Sequence, residues 1–151
     1  MRILEIIFTL VLLIADQVSK YLASIYLKNK AAVTIISGFF KLSYAENTGA
    51  AWSIFEGMGD AFAVIALLVS GAMIYYLWRE KTLLKMERFS MILMIAGALG
   101  NMIDRVRMHY VIDFLDFYIF GYDFPVFNFA DSCLTVGVII FAVINLFVKK
   151  D

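Results

Sequence analysis

The chain has one cysteine, Cys133, one proline, Pro125, and one histidine, His109. A single thiol excludes an intramolecular disulfide and any multi-cysteine metal site, so cysteine usage is silent on redox compartment. One histidine excludes an HExxH zinc protease and leaves Ser132 and Cys133 without an obvious base. With one proline and nine glycines there is no linker or low-complexity composition, and no internal repeat is visible. Net charge is missing too. Thirteen basic residues balance thirteen acidic ones and only 17% of residues are charged, so there is no field to recruit nucleic acid.

What is present is apolar. Of the 151 residues, 63% are hydrophobic and the mean hydropathy is +0.86, far above a soluble domain. The expectation is a mainly α membrane protein, one membrane-embedded domain over residues 1–151. A span needs roughly 20 mostly apolar residues, and lipid offers no partner to backbone polar groups, so spans are helices. Four segments qualify, at about 3–23, 61–78, 89–106 and 132–148. The first opens Met1-Arg2 and could be a cleaved signal peptide, but it lacks a small-residue cleavage site and carries Asp16 and Lys20, which favours a retained helix.

Arg2, the run Arg79, Lys81, Lys85 and Arg88, and the tail Lys149 and Lys150 share one side if the chain crosses four times. By the positive-inside tendency that side is cytoplasmic, as are both termini. The outer connections are about 26–60 and 107–131. The first holds two β-prone runs, AVTII and FFKLSY, around Gly38, which predicts a small surface hairpin. The second is rich in Phe and Tyr, suited to the headgroup level, and interleaved with Asp113, Asp116 and Asp123. Function is therefore expected on the outer face.

Charge inside a span is costly, about 2.5 to 3.5 kcal/mol at a helix centre, and survives where it pairs or acts. Asp16 and Lys20 are four apart, acid before base, which suits an ion pair that either braces the helix or takes part in chemistry. In GALGNMIDR, Gly97, Ala98 and Gly100 permit close backbone approach, and Asn101, Asp104 and Arg105 fall on overlapping faces, as a functional cluster or a polar rim with Arg105 reaching lipid phosphates. In NTGAAW, Asn47 and Gly49 make either a peptide-binding segment or an ordinary turn. Asp113 and Asp131 both sit among aromatic and aliphatic residues at the outer ends of neighbouring helices. Two carboxylates close together in such a setting share a proton, one acting as base and the other as acid. The plainer alternative has Asp131 as the N-cap of the last helix and Asp113 in a solvated loop. A hard cation among Asp104, Asp113, Asp131, Asn101 and Asn128 is conceivable, although no metal or other cofactor is expected. A small proton or ion transporter using Asp16, Lys20, Asp104 and Asp131 is the competing function.

Taken together, DQVSK from Asp16, NTGAAWSIF from Asn47, GALGNMIDR from Gly97, VIDFLDF from Val111 and FNFADS from Phe127 resemble the lipoprotein signal peptidase family, the bacterial type II signal peptidases. The resemblance spans essentially the whole chain. It implies a membrane aspartyl protease with four helices and a small extracytoplasmic β-platform. The catalytic pair would be Asp113 and Asp131. Asn47, Asn101, Arg105 and Asn128 would face substrate, with Asp16, Lys20 and Asp104 in support and Gly49 in one or the other role. The substrate implied is a prolipoprotein whose cysteine already carries diacylglycerol, cut just before that cysteine at the extracytoplasmic face of the bacterial inner membrane. Membrane lipid and globomycin-type cyclic peptides are the other implied partners, and a short mobile helix after NTGAAW is implied as a lid. Ile112 replaces a common Val, and Trp52 a common Phe.

Overall fold

The computed structural model describes residues 2–49 and 57–147. Among the described residues four helices and four strands follow in the order α1 Ile3–Tyr26, β1 Val33–Ile36, β2 Phe40–Asn47, α2 Gly59–Arg79, α3 Lys85–Met108, β3 Val111–Ile119, β4 Tyr122–Asp123 and α4 Phe129–Phe147. The architecture is mainly helical with one small antiparallel sheet. Among the described residues, α2, α3 and α4 are long and apolar enough to cross a membrane.

The bundle is inside-out by the standards of a water-soluble protein. Along α1 the buried side chains are Thr9, Asp16, Lys20 and Ala23, while Ile3, Leu4, Ile7, Leu10, Val11, Ile14 and Val18 face outward. The buried positions recur at helical spacing, so the polar groups form one inward stripe. Helix α3 is the most buried of the three apolar helices and packs against each of the others. Leu77, Met91, Ile92 and Ile95 form its core, with Leu12, Met73 and Phe141 against them. Because lipid tails are as apolar as leucine, such helices associate by close packing rather than by escape from water. Glycine provides the room. A Cβ on Gly97 would collide with the carbonyl oxygen of Ala130 and come within 2.9 Å of the Leu134 nitrogen, and one on Gly137 would lie 2.8 Å from the Ser90 carbonyl oxygen.

The sheet runs β1-β2-β3-β4. The β1–β2 hairpin turns through Gly38 at φ +71°, where the sequence places its break. The connection between α3 and α4 also forms strands. β3 and β4 close through Phe120 (φ 49°) and Gly121 (φ 84°), two positive φ values in a two-residue loop that match the right-handed twist of the flanking strands. Ile112 and Phe114 of β3 pack on Ala23 and Leu27 at the end of α1, which fastens the sheet to the bundle.

Helix boundaries differ from the hydropathy segments because hydropathy marks where lipid begins, whereas helices continue as long as their backbones stay satisfied. Helix α1 extends to Tyr26, and α3 runs past Arg105 to Met108 before His109 ends it in a left-handed conformation (φ 64°). Helix α4 begins at Phe129, three residues before Ser132, so Asp131 lies inside its first turn. The tail lysines Lys149 and Lys150 lie outside the described residues.

Candidate active site

The site is built where β2, β3 and the start of α4 meet the C-terminal third of α1 and α3. β2 and β3 pair in register from Asn47↔Val111 to Ala45↔Asp113, then slip by one residue before Leu42↔Leu115. Two β2 residues, Ser43 and Tyr44, therefore oppose the single Phe114, a bulge of the kind that re-aims side chains. Beyond it, Asn47 lies diagonal to Asp113 on the same face. Its side-chain amide donates to Asp113 Oδ2 at 3.0 Å.

The chain returns from β4 alongside β3 and is pinned there by Phe127 N–H to the Leu115 carbonyl at 3.0 Å and Leu115 N–H to the Phe127 carbonyl at 2.8 Å. Phe40, Phe117 and Phe127 stack across this surface, with centroids 4.4 and 5.6 Å apart. That return strand delivers Asn128 to the start of α4. Asn128 is wholly buried. Its Nδ2 donates to Asp113 Oδ1 at 2.6 Å and to Asn101 Oδ1 at 3.2 Å. Its Oδ1 accepts from Asp131 N–H at 2.9 Å, and its own N–H donates to Asp131 Oδ2 at 3.1 Å. The last two bonds are a reciprocal capping box. The residue that caps α4 is thus Asn128, and Asp131 is the third residue of the helix rather than its cap.

Asp131 keeps its other oxygen, Oδ1, for Asn101 Nδ2 at 2.7 Å. Asp113 is no loop residue either; it lies in β3 and is 2% exposed. Burial, reinforced by the negative charge of Asp131, pushes the Asp113 carboxyl up to about 6, against the opposing hydrogen bonds from Asn47 and Asn128. The two acids sense each other electrostatically and share Asn128. Such a pair can hold one proton between them, with one acid available as base and the other as donor.

A second polar layer lies beneath. Lys20 Nζ meets Asp16 Oδ2 at 3.0 Å, Asp104 Oδ2 at 2.9 Å and Asn101 Oδ1 at 2.8 Å. The expected Asp16–Lys20 pair forms, and Asp104 joins it instead of turning to the acid pair. Asp16 Oδ1 also accepts from the Ala130 N–H at 3.0 Å, so α1 holds the first turn of α4. Gln17 completes the layer through Asp104 Oδ1 at 3.0 Å and Asp16 Oδ2 at 3.1 Å. The sequence pattern does not single out Gln17; a lone amide in an apolar helix is the one signal it offers. Asn101 thus links Lys20 on one side to Asp131 on the other.

Arg105 does not form a rim pointing to lipid. Its Nη2 donates to the Gly49 carbonyl at 3.0 Å, and its guanidinium lies 5.5 Å from the ring centre of Phe62 in α2. Gly49 N–H in turn donates to Asn47 Oδ1 at 3.0 Å, which orients the Asn47 amide toward Asp113. Residues 50–56, including Trp52 and the expected lid, lie outside the described residues. His109 pairs with Asp60 at 3.1 Å on the surface. Among the described residues no three His, Cys, Asp or Glu side chains converge as metal ligands.

A family model described as signal peptidase (SPase) II matches residues 8–147. A lipoprotein signal peptidase of Staphylococcus aureus strain MRSA252 is 39% identical over 136 residues, which is 90% of this chain and 83% of that one. Its counterpart in strain JH9 is 38% identical over the same shares. Two solved structures, each described as a bacterial membrane enzyme obtained by the in meso method, superpose with TM-scores of 0.85 and 0.83. They are 36% and 37% identical, and each comparison covers 97% of this chain and 92% or 94% of the other.

Proposed function

The chain belongs to the signal peptidase II family, and we propose that Asp113 and Asp131 are the carboxylate pair with which it cuts. Its activity is that of an aspartic-type membrane hydrolase that removes signal peptides from prolipoproteins. The observation that carries the assignment of the pair is Asn128, which hydrogen-bonds both acids from the fixed start of α4.

Asp131 is the ionised member, since it accepts a backbone N–H in the first turn of a helix, where the dipole favours negative charge. Asp113, pushed up to about 6, holds the proton. Asp131 takes a proton from a water molecule whose oxygen attacks the scissile carbonyl, while Asp113 donates its proton to the carbonyl oxygen. Collapse of the gem-diol intermediate breaks the C–N bond as the proton gained by Asp131 passes to the departing amine and a hydroxyl proton of the gem-diol returns to Asp113, which restores the starting pair. Asn47, Asn101 and Asn128 hold the acids, Arg105 and Gly49 orient the peptide-facing edge, and Asp16, Lys20 and Asp104 brace the floor.

The substrate carries diacylglycerol on the cysteine that follows the cut. The acyl chains reach the site laterally from lipid while the peptide lies along the β2–β3 surface, and globomycin-type cyclic peptides compete there. The chain acts as one membrane-embedded peptidase domain. Helix α1 is its fourth crossing: 24 residues span about 36 Å, and its charges are turned inward. The basic end with Arg79, Lys81, Lys85 and Arg88 faces the cytoplasm and the acid pair the opposite side. A small proton or ion transporter is not favoured, because the family is a peptidase family and Asp16, Lys20 and Asp104 lock onto one another instead of forming a path.

The test is cleavage of a lipidated prolipoprotein by purified Asp113→Asn and Asp131→Asn variants in detergent. Both are expected to fold and to give no product. Wild-type rates from either variant would refute the assignment.

A further inference from the structure

At the end of the bundle opposite the acid pair, Arg2, Leu77, Trp78, Lys81 and Arg88 line a cavity of about 160 Å³. Arg88 is a fixed wall. Its guanidinium bonds Glu5 through Nε at 2.6 Å and Nη2 at 2.9 Å, and donates to the Leu77 and Glu80 carbonyls at 3.1 Å each. Arg88 and Glu5 cancel in charge. The side chains of Arg2 and Lys81 are in no ion pair among the described residues. Among the described residues the lining holds no acid, so beyond the Arg88–Glu5 pair it presents two cations, Arg2 and Lys81.

We propose that this cavity binds the phosphate of an acidic phospholipid. A volume of 160 Å³ is about five times the share of a liquid water molecule, enough for a phosphodiester. Trp78, 60% exposed, is the amphipathic ring expected at headgroup depth. Ile3, Leu4 and Ile7, exposed next to Arg2 along α1, offer an apolar track for the acyl chains. Charge, volume and the adjoining apolar face together select a lipid with a negative headgroup. The site is remote from the acids and independent of their role.

The test is native mass spectrometry of the full-length, delipidated protein titrated with phosphatidylglycerol or phosphatidylcholine. At about 5-fold per basic residue near the surface, two cations give about a 25-fold preference for phosphatidylglycerol. The Arg2→Ala/Lys81→Ala double variant is expected to lose that preference. The Arg79→Ala/Lys85→Ala variant, which removes equal charge at the same end but outside the cavity, should keep it. Equal binding of the two lipids by the unmodified chain, or equal loss in both double variants, would overturn the proposal. Displacement of phosphatidylglycerol by an equal concentration of inorganic phosphate would show a site for the free ion and overturn the lipid assignment.

Discussion

Asn128 and Asp131 cap one another, each backbone N–H donating to the other's side chain at 3.1 and 2.9 Å. The same Asn128 side chain reaches Asp113 at 2.6 Å. One asparagine therefore starts a membrane helix and sets the spacing of two acids.

Asn128→Ala should lose both roles. Loss of the cap costs about 1 kcal/mol, and release of the acids from a common anchor lowers kcat about 100-fold, the scale of a small misplacement. Asn128→Ser retains a cap acceptor but cannot donate to Asp113 in the same way. It should recover melting temperature in detergent without recovering kcat. Full activity in the Ser variant would show that capping alone matters.

The buried Asp113 carboxyl gives stability a pH dependence of defined sign. Its folded-state titration, at about 6, lies above the ordinary 3.8, so the folded protein binds the proton more tightly. Stability from this group is fully present below about pH 4 and is lost as pH rises to about 6, a total of about 3 kcal/mol. Thermal melts of Asp113→Asn should lack this decline. In Asp131→Asn the decline should end at lower pH, because a neighbouring negative charge is gone. A decline of the same size and position in Asp113→Asn would place its origin elsewhere.

Among the described residues Lys20 is the cation between Asp16 and Asp104. Lys20→Met should destabilise by about 3 to 5 kcal/mol, since it leaves buried carboxylates without a counter-charge. Adding Asp16→Asn and Asp104→Asn to it should restore much of that loss, as neutral amides remove the uncompensated charge. A Lys20→Met protein that melts with the wild type would show that the triad carries no stability.

Much of this arrangement was legible in the chain. The Asp16–Lys20 spacing marks the ion pair, because helical periodicity converts sequence spacing directly into geometry, and the small residues mark close approach, Gly97 to α4 and Gly100 first to the Asp16 side chain of α1. Position among apolar residues raises Asp113 and Asp131 as one of two readings, and the resemblance selects the pair over a cap and a loop residue. The assignment of Asp131 as a possible cap failed because α4 starts earlier than its hydropathy. Strands β3 and β4 do not follow from the residues of the aromatic segment, whose apolar positions lack a clean alternation; only the resemblance implies a β-platform there. The bulge at Ser43 and Tyr44, which aligns Asn47 with Asp113, depends on pairing across 66 residues and leaves no local mark.

Gly97 and Gly71 are both helical glycines with opposite surroundings. A Cβ on Gly97 meets the Ala130 carbonyl and Leu134, while one on Gly71 meets nothing within 4 Å. Gly97→Ala should cost about 1 to 3 kcal/mol by overpacking and lower kcat by displacing the turn that carries Asp131. Gly71→Ala should be neutral or stabilising by up to about 1 kcal/mol. Equal melting temperatures for the two variants would remove the case for a close α3–α4 contact.

Arg105 separates charge from shape at the site. It donates to the Gly49 carbonyl at 3.0 Å while its planar face lies over Phe62, and Gly49 in turn orients Asn47 toward Asp113. Lysine keeps the positive charge but has no planar fork, so it cannot stack and donate in the same geometry. Arg105→Lys should therefore fold, with a stability loss of about 1 kcal/mol from the weakened ring contact, yet lose about 10- to 100-fold in kcat/KM because the Asn47 segment is no longer fixed. If Arg105→Lys cuts like the wild type while Arg105→Ala does not, positive charge alone is what the site requires. If both lose activity alike, the fork is the requirement, and the route from Arg105 through Gly49 and Asn47 to Asp113 is how α3 controls the acid pair.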